Sequence, residues 1–267
     1  MVTGGSGSIG SAVVEKILSK PVHSVRVFDS SEDGLFKLKR KINDDSRLRT
    51  LLGDIRDRER VKMALNGVDL VIHTAAVKNI EVSEYNAAET CRVNVEGTIN
   101  LVETAMQESV KRFMFISSDK AASYSTLYGA TKFLGEKITV WASRISLNTV
   151  FGAVRFGNVF ESCGNVFEVW YNESEAGRPL SVTHPDMKRY FWHLSEATDF
   201  IIRICEKMEN GCIYVPKLKE YSILDLAKQH GGEIRIIGLR KGEKMREILF
   251  AEHEKVEEAE DFWVIRE

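Results

Sequence analysis

Thr3-Gly4-Gly5-Ser6-Gly7-Ser8-Ile9-Gly10 is the segment from which the architecture can be inferred. Ahead of it stand only Met1 and Val2, so the strand it should follow looks clipped, as if the numbering began inside a longer protein. After it, residues 11–19 carry the apolar period of a helix and residues 24–28 that of a strand. Glycines 4, 7 and 10 therefore occupy a strand–loop–helix turn. The first allows a sharp turn, the second lets backbone approach a pyrophosphate, and the third packs helix against sheet. Asp29 follows Gly10 by 19 residues, where a carboxylate can bond the ribose hydroxyls of an adenosine. Gly4, Ser6, Gly7, Ser8, Ile9, Gly10 and Asp29 are thus candidate cofactor residues. A carboxylate at this point repels a ribose phosphate, which favours NAD over NADP.

Further strands are expected at Leu48–Leu52, Leu70–His73 and 112–118, alternating with helices at Arg58–Leu65 and 87–107. That alternation implies an α/β fold, a doubly wound parallel (Rossmann) sheet with right-handed crossovers. Gly53-Asp54-Ile55-Arg56-Asp57 ends its strand where an adenine can lie, with Ile55 beside it. Asp54 either accepts from the adenine amino group or caps the following helix. After His73-Thr74, the small Ala75 and Ala76 let backbone lie against the nicotinamide side of the dinucleotide. His73 itself reads as a strand-end packing residue.

Chemistry concentrates at Ser117-Ser118-Asp119-Lys120 and Tyr128-Gly129-Ala130-Thr131-Lys132. The first ends an apolar strand in hydroxyls. The second opens a helix, residues 128–145, with Leu134, Ile138 and Trp141 along one stripe. Tyr128 and Lys132 are four residues apart and so share a helix face. A lysine there can hold a cofactor hydroxyl while its charge lowers the phenol's pKa, making Tyr128 a usable base. Ser118 can bond the same substrate oxygen. Asp119 and Lys120 add a second acid/base pair that simple alcohol oxidation does not need.

With 267 residues, 43% hydrophobic and 28% charged, the chain holds one large α/β domain plus a smaller lobe. A formal net charge of -2 offers no footprint for nucleic acid or an anionic membrane. The four cysteines are scattered, with neither CxxC nor a histidine cluster, so no metal site is expected and the thiols read as reduced and cytoplasmic. No apolar run approaches the roughly 20 residues of a membrane span, and no signal peptide is seen.

In the order TGGSGSIG, GDIRD, HTAA, Asn94-Val95-Glu96-Gly97-Thr98 and YGATK, the chain resembles an extended short-chain dehydrogenase/reductase. SSDKA with LYGATK, AAVKN, VRFGNV, DMKRYF and IIGLRKGEKMREIL make it similar to the inverting UDP-N-acetylglucosamine 4,6-dehydratases of the CapD-like polysaccharide-biosynthesis group. Ser118 stands where a threonine is usual, and Asn79 where a histidine often follows the lysine. Some members use NADP, so that cofactor stays open despite Asp29. Tyr128 is present, unlike in the large membrane-anchored relatives with methionine there, and this favours the small soluble branch. The resemblance implies a cofactor role for Asn94 and substrate roles for Lys78, Asn158, Arg189, Arg240 and Glu243. It also implies a homo-oligomer paired through the helices at 87–107 and 128–145.

The C-terminal half reads as a strand at 148–156, a loose stretch from about 161, a helix at 192–208, a short helix at 221–229, a strand at 234–237 and a helix at 243–249. This divides the chain into a dinucleotide-binding domain, 1–157, and a substrate-binding lobe, 158–267, whose residues 191–208 pack back on the first domain. The lobe offers too little material for a core of its own. Arg240 and Lys244 can pair with a nucleotide diphosphate and Glu243 can accept from a ribose hydroxyl. The acidic stretch 252–261 is expected to be solvated, with Phe262, Trp263 and Val264 tying the end down.

By resemblance, the reaction has no net redox change. Tyr128 takes the carbon-4 hydroxyl proton of the UDP-sugar while hydride goes to the nicotinamide. Lys120 removes the acidified carbon-5 proton, Asp119 protonates the departing carbon-6 hydroxyl, and hydride returns to carbon 6 with inversion at carbon 5. Lys132 supports Tyr128. An epimerase needs Tyr128 and Lys132 but has no need of Asp119-Lys120. A cofactor-binding regulator that has lost catalysis has no reason to keep Tyr128 and Lys132.

Overall fold

The computed structural model describes residues 1–266. Strand and helix alternate through the first part: β1 (Val2–Thr3), α1 (Ser8–Leu18), β2 (Val25–Asp29), α2 (Glu32–Lys41), β3 (Leu48–Leu52), α3 (Arg58–Leu65) and β4 (Leu70–His73). Next come α4 (Ile80–Tyr85), α5 (Ala87–Cys91), a π turn (Arg92–Glu96), α6 (Gly97–Gln107), β5 (Arg112–Ile116), a 3₁₀ turn (Asp119–Ala121), α7 (Leu127–Ile145) and β6 (Val150–Val154). The remainder is β7 (Asn158–Val159), α8 (Val166–Glu175), β8 (Leu180–Val182), β9 (Lys188–Trp192), α9 (Leu194–Lys207), β10 (Cys212–Pro216), β11 (Lys219–Ser222), α10 (Ile223–His230), β12 (Ile234–Ile236), β13 (Val256–Glu258) and β14 (Phe262–Arg266).

Nine strands make one sheet in the order β13-β14-β10-β6-β5-β4-β1-β2-β3. From β10 to β3 every neighbouring pair is parallel, and β14 and β13 close the edge antiparallel. The chain leaves β1 for β2 on one side and returns to β4 on the other, so a crevice opens at the carboxyl ends of β1 and β4. Side-chain alternation builds a core on each face. In β5, Met114 and Ile116 join the layer under α1 and α9. Phe113 and Phe115 join the layer under α3, α6 and α7. Among the described residues no helix is long and apolar enough to cross a membrane.

The expected division at residue 157 is not how the chain is laid out. Besides α9, the strands β10, β14 and β13 return from the second half to the main sheet. The lobe proper is β7–β9–β11, β8–β12, α8 and α10, and it does have a small core, with Trp170 and Leu180 fully enclosed beside Met187, Phe191 and Leu226. The helix expected at 243–249 does not form. The carbonyls of Lys244 and Met245 accept from the Arg189 guanidinium and the Lys188 amide instead, which pulls the segment out along β9. Helix α8 fell in the stretch read as loose, and α2 is mostly polar with only Leu35 and Leu38 buried, so its apolar period is sparse. The acidic tail is not wholly solvated either, since Glu254 is buried against Arg155.

The stripe on α7 points the other way from the usual expectation. Leu134 and Trp141 are 43% and 45% exposed, while Lys132, Gly135, Glu136, Thr139 and Val140 face the sheet. Gly135 has to be small, because a Cβ there would sit 2.2 Å from the Phe115 ring. Glu136 is buried because Arg155, just past the end of β6, pairs with it.

Candidate active site

The crevice is a cavity of about 780 Å³ whose floor is the glycine loop. Gly4 has φ +64, and a Cβ there would meet Ala75 backbone at 2.6 Å; at Gly10 it would lie 2.3 Å from the Gly4 carbonyl. Glycine is therefore required for the loop to pass this close to its neighbours. Gly7 precedes α1 in extended backbone, and no side chain caps the helix, so the first amides of α1 are free to meet an anion. Asp29 rims the cavity at the end of β2, where its carboxylate accepts from the Ser6 amide at 3.0 Å, the Ser6 hydroxyl at 2.6 Å and the Ser31 amide at 3.0 Å.

Ser6, Ser8, Ile9, Asp54, Ile55, Ala75 and Ala76 all line this cavity. Asp54 is not the cap of α3, a role taken by Asp57; it holds Arg56 in a bidentate pair, which lowers its pKa against the opposing effect of burial. Asn94 does not line the cavity. It is buried in the π turn, bonded to both backbone groups of Val77 and to the Thr131 hydroxyl, so it ties the cavity wall to α7. His73 is a packing residue as expected, bonded to Thr3 and Thr98 and held neutral by burial, which drops its pKa to about 3.

The catalytic candidates converge on the other wall. Ser118, Lys120, Tyr128 and Lys132 line the cavity. The Ser118 hydroxyl donates to Asp119 at 3.0 Å, and Asp119 pairs with the Lys120 amine at 3.1 Å. Ser118 is close enough to Tyr128 to oppose the rise of its pKa, so Tyr128 stands beside the bonded run Ser118–Asp119–Lys120. Asp119 itself is fully buried behind Lys120 and does not face the cavity, and its second carboxylate oxygen has no partner. The direct transfer from Asp119 to a substrate hydroxyl thus lacks a path as the groups lie here.

Electrostatics also differ from the sequence reading. Burial pushes the Tyr128 phenol up; the opposing influences are Lys120 and Ser118, not Lys132. The Lys132 amine has turned to the Ile116 carbonyl at 2.8 Å and stands 4.8 Å from the Phe115 ring centre. Burial lowers its pKa to about 8, with Glu136 opposing. Burial works to lower Lys120 as well, but Asp119, Glu247 and Tyr128 together carry it above the usual value.

A second cavity of about 230 Å³ adjoins the first, with Lys120, Asn158 and Arg240 in both walls. Arg189 and Glu243 line it. Arg189 is 9% exposed and spends its guanidinium on the Lys188, Met245 and Lys244 carbonyls, so it frames the cavity as much as it faces it. Arg240 is half exposed beside Glu81, and its amide donates to Glu243 at 3.1 Å. Lys78 crosses the mouth of the first cavity to the Cys163 carbonyl at 2.6 Å. Sequence reasoning missed Glu247 and also Ser117, whose hydroxyl is buried at the first cavity without a partner. Nothing in a strand-end serine such as Ser117 tells which way it points.

The glycine cradle, the uncapped α1 and the unpartnered Ser117 hydroxyl all suit a dinucleotide in the first cavity. Residues 1–266 match the family model described as "Polysaccharide biosynthesis protein". This chain belongs to that family. It is 39% identical over 282 residues to an uncharacterized membrane protein, MJ1061, of Methanocaldococcus jannaschii, covering 99% of this chain and 84% of the relative. It is 34% identical over 258 residues to the UDP-N-acetylglucosamine 4,6-dehydratase (inverting) of Campylobacter jejuni, covering 94% and 77%. A UDP-glucose 4-epimerase of Rickettsia rickettsii is 32% identical over 279 residues, covering 99% and 82%. Among solved structures, Pen from Bacillus thuringiensis is similar with a TM-score of 0.95 at 34% identity, covering 99% of this chain and 87% of that one. DesIV, a dTDP-glucose 4,6-dehydratase from Streptomyces venezuelae determined with NAD and TYD bound, shares the fold with a TM-score of 0.85 at 24% identity, covering 94% and 87%. The family is one of nucleotide-sugar dehydratases and epimerases built on a short-chain dehydrogenase/reductase fold.

Proposed function

We propose that the protein is a nucleotide-sugar 4,6-dehydratase acting on UDP-N-acetylglucosamine, with inversion at carbon 5, in the synthesis of a surface polysaccharide or glycan. The observation that carries this reading is the Lys120 amine at the junction of the two cavities, backed by Asp119, which Ser118 also bonds, with Tyr128 lining the first cavity beside them. A bound nicotinamide dinucleotide supplies a reversible hydride acceptor. Tyr128 serves as the base for the carbon-4 hydroxyl, and Ser118 hands that proton inward to Asp119. Lys120 meets the carbon-5 proton from the cavity side. Proton return to the carbon-6 oxygen runs from Asp119 through Lys120, because Asp119 has no face on the cavity. Arg240, Glu243 and Lys244 hold the nucleotide end, and Lys78 and Asn158 border the sugar. Four free thiols, with Cys205 and Cys212 buried, fit a reducing cytoplasm.

An epimerase reading is favoured by the names of the Rickettsia relatives. Incubation with UDP-N-acetylglucosamine and product mass separates the two. Loss of one water is expected, whereas an unchanged mass with altered chromatography would establish an epimerase, and no change would leave a binder.

The cofactor is proposed to be NAD. Asp29, held by Ser6 and Ser31 at the rim, leaves no room for a ribose phosphate without a like-charge contact. NAD is expected to bind more tightly than NADP by calorimetry, and Asp29→Ala to narrow the gap. Equal or tighter binding of NADP to the unmodified protein would show that Asp29 does not meet the ribose.

A homo-oligomer is proposed on the outer face of α7. Leu134, Trp141 and Ile145 are exposed along it, with Leu147 just beyond, and Ile99 and Met106 are partly exposed on neighbouring α6. So many large apolar groups on one helix face mark a contact surface, and a second copy of this chain is its expected occupant. Light scattering should report a multiple of 30.2 kDa, with Trp141→Glu shifting it toward monomer; a monomer at working concentration for the unmodified protein would refute the pairing.

A further inference from the structure

Glu247 has no part in the reading above, yet its placement is unusual. Its residue is only 5% exposed, and what remains open lines the second cavity, where Lys120 forms part of the same wall. One carboxylate oxygen accepts from Lys244 at 3.0 Å. The Lys120 amine is bonded to Asp119 rather than to Glu247. Glu247 is near enough to raise the Lys120 pKa together with Asp119 and Tyr128, against Arg189. Two carboxylates thus flank Lys120: Asp119 sealed in the protein, and Glu247 on the cavity side. A buried carboxylate facing a cavity with acceptor capacity to spare is costly unless a donor comes to it.

We propose that Glu247 is a sugar-binding residue, accepting a hydrogen bond from a hydroxyl of the hexose of a nucleotide sugar and thereby holding the ring against Lys120. The inference rests on the nucleotide-sugar reading of the site but not on the choice between dehydratase and epimerase. The nucleotide end is assigned to Arg240, Glu243 and Lys244, and a glutamine at 247 still offers an acceptor to Lys244, so the contribution of the Glu247 charge appears chiefly when a sugar is attached. Glutamine at this position keeps the shape but replaces half of the acceptor capacity with donors, which a hydroxyl donor cannot use in the same way.

The test compares UDP, UDP-N-acetylglucosamine and UDP-glucose by calorimetry on the unmodified protein, Glu247→Gln and Glu247→Asp. For Glu247→Gln, UDP affinity should stay within about twofold and nucleotide-sugar affinity should fall about tenfold, as expected for one lost bond to a charged group. Glu247→Asp keeps the charge with a shorter reach and should fall in between. A sugar-dependent loss seen with UDP-glucose but not UDP-N-acetylglucosamine would support Glu247 while overturning the proposed substrate. Equal losses for UDP and both sugars would make Glu247 a structural residue and overturn the inference, as would no loss at all. Should none of the three ligands bind the unmodified protein, the inference falls together with the nucleotide-sugar reading.

Discussion

Tyr128→Phe is expected to abolish water loss from UDP-N-acetylglucosamine and, with it, exchange of the carbon-5 proton for deuterium. The hydroxyl is the only part of Tyr128 that changes, and Tyr128 lines the cavity beside the Ser118–Asp119–Lys120 run. Each catalytic proton transfer is typically worth about 100- to 10,000-fold in rate. Because the carbon-4 proton is removed first, everything after it stalls as well. Lys120→Met should stall later: carbon 4 is oxidised, but the carbon-5 proton no longer exchanges with heavy water. Asp119→Asn retains the Tyr128 hydroxyl and the Lys120 amine and should slow the loss of water by a similar factor, because its proton supply is gone. Mass spectrometry of products formed in heavy water reads all three. Water loss at the unmodified rate in Asp119→Asn would remove the pair from the elimination and strengthen the epimerase reading.

Arg155→Met is expected to destabilise the protein by about 3–5 kcal/mol, the usual cost of stripping one partner from a buried ion pair. Arg155 is fully enclosed, with its guanidinium forked onto Glu136 at 2.8 and 2.7 Å and onto Glu254 at 2.8 and 2.6 Å. It also donates to the Leu249 carbonyl at 2.9 Å. Without it, two buried carboxylates face each other with no cation between them, and the segment around 249–254 loses its anchor to α7. Chemical denaturation measures the loss, and proteolysis should cut first near 249–254. Replacing Glu136 and Glu254 by leucine in the same variant should recover much of the stability, since the uncompensated charges are then gone. A loss below about 1 kcal/mol for Arg155→Met would mean that water reaches the cluster and screens it.

Much of this was legible from residue order alone. The glycine spacing, the strands Leu48–Leu52 and Leu70–His73 and the helix Arg58–Leu65 coincide with the fold, because backbone period and turn chemistry are local. The conjunction of SSDK with YGATK identified four side chains that line one cavity, and Asp119 next to them. Less legible was the second half. Its helix expected at 243–249 is instead an irregular segment, since Lys188 and Arg189, far away in sequence, take the carbonyls a helix would need. The π turn at Arg92–Glu96 was equally hidden, as its cause is the grip of Asn94 on Val77.

What the sequence determined by itself was the class of fold, the glycine loop and which side chains line the cavity as candidates for the chemistry, all of which depend on residues close together in the chain. What only the tertiary structure decided was direction. It turned the apolar stripe of α7 outward, because Gly135 and Glu136 meet Phe115 and Arg155 on the inner face. It placed Asp119 behind Lys120 rather than in the cavity, and turned the Lys132 amine to the Ile116 carbonyl. It also brought Glu247 to the wall that Lys120 helps to form. Burial and charge pairing across strands and lobes set these orientations, and the local apolar period does not encode which partner a side chain meets on a neighbouring element.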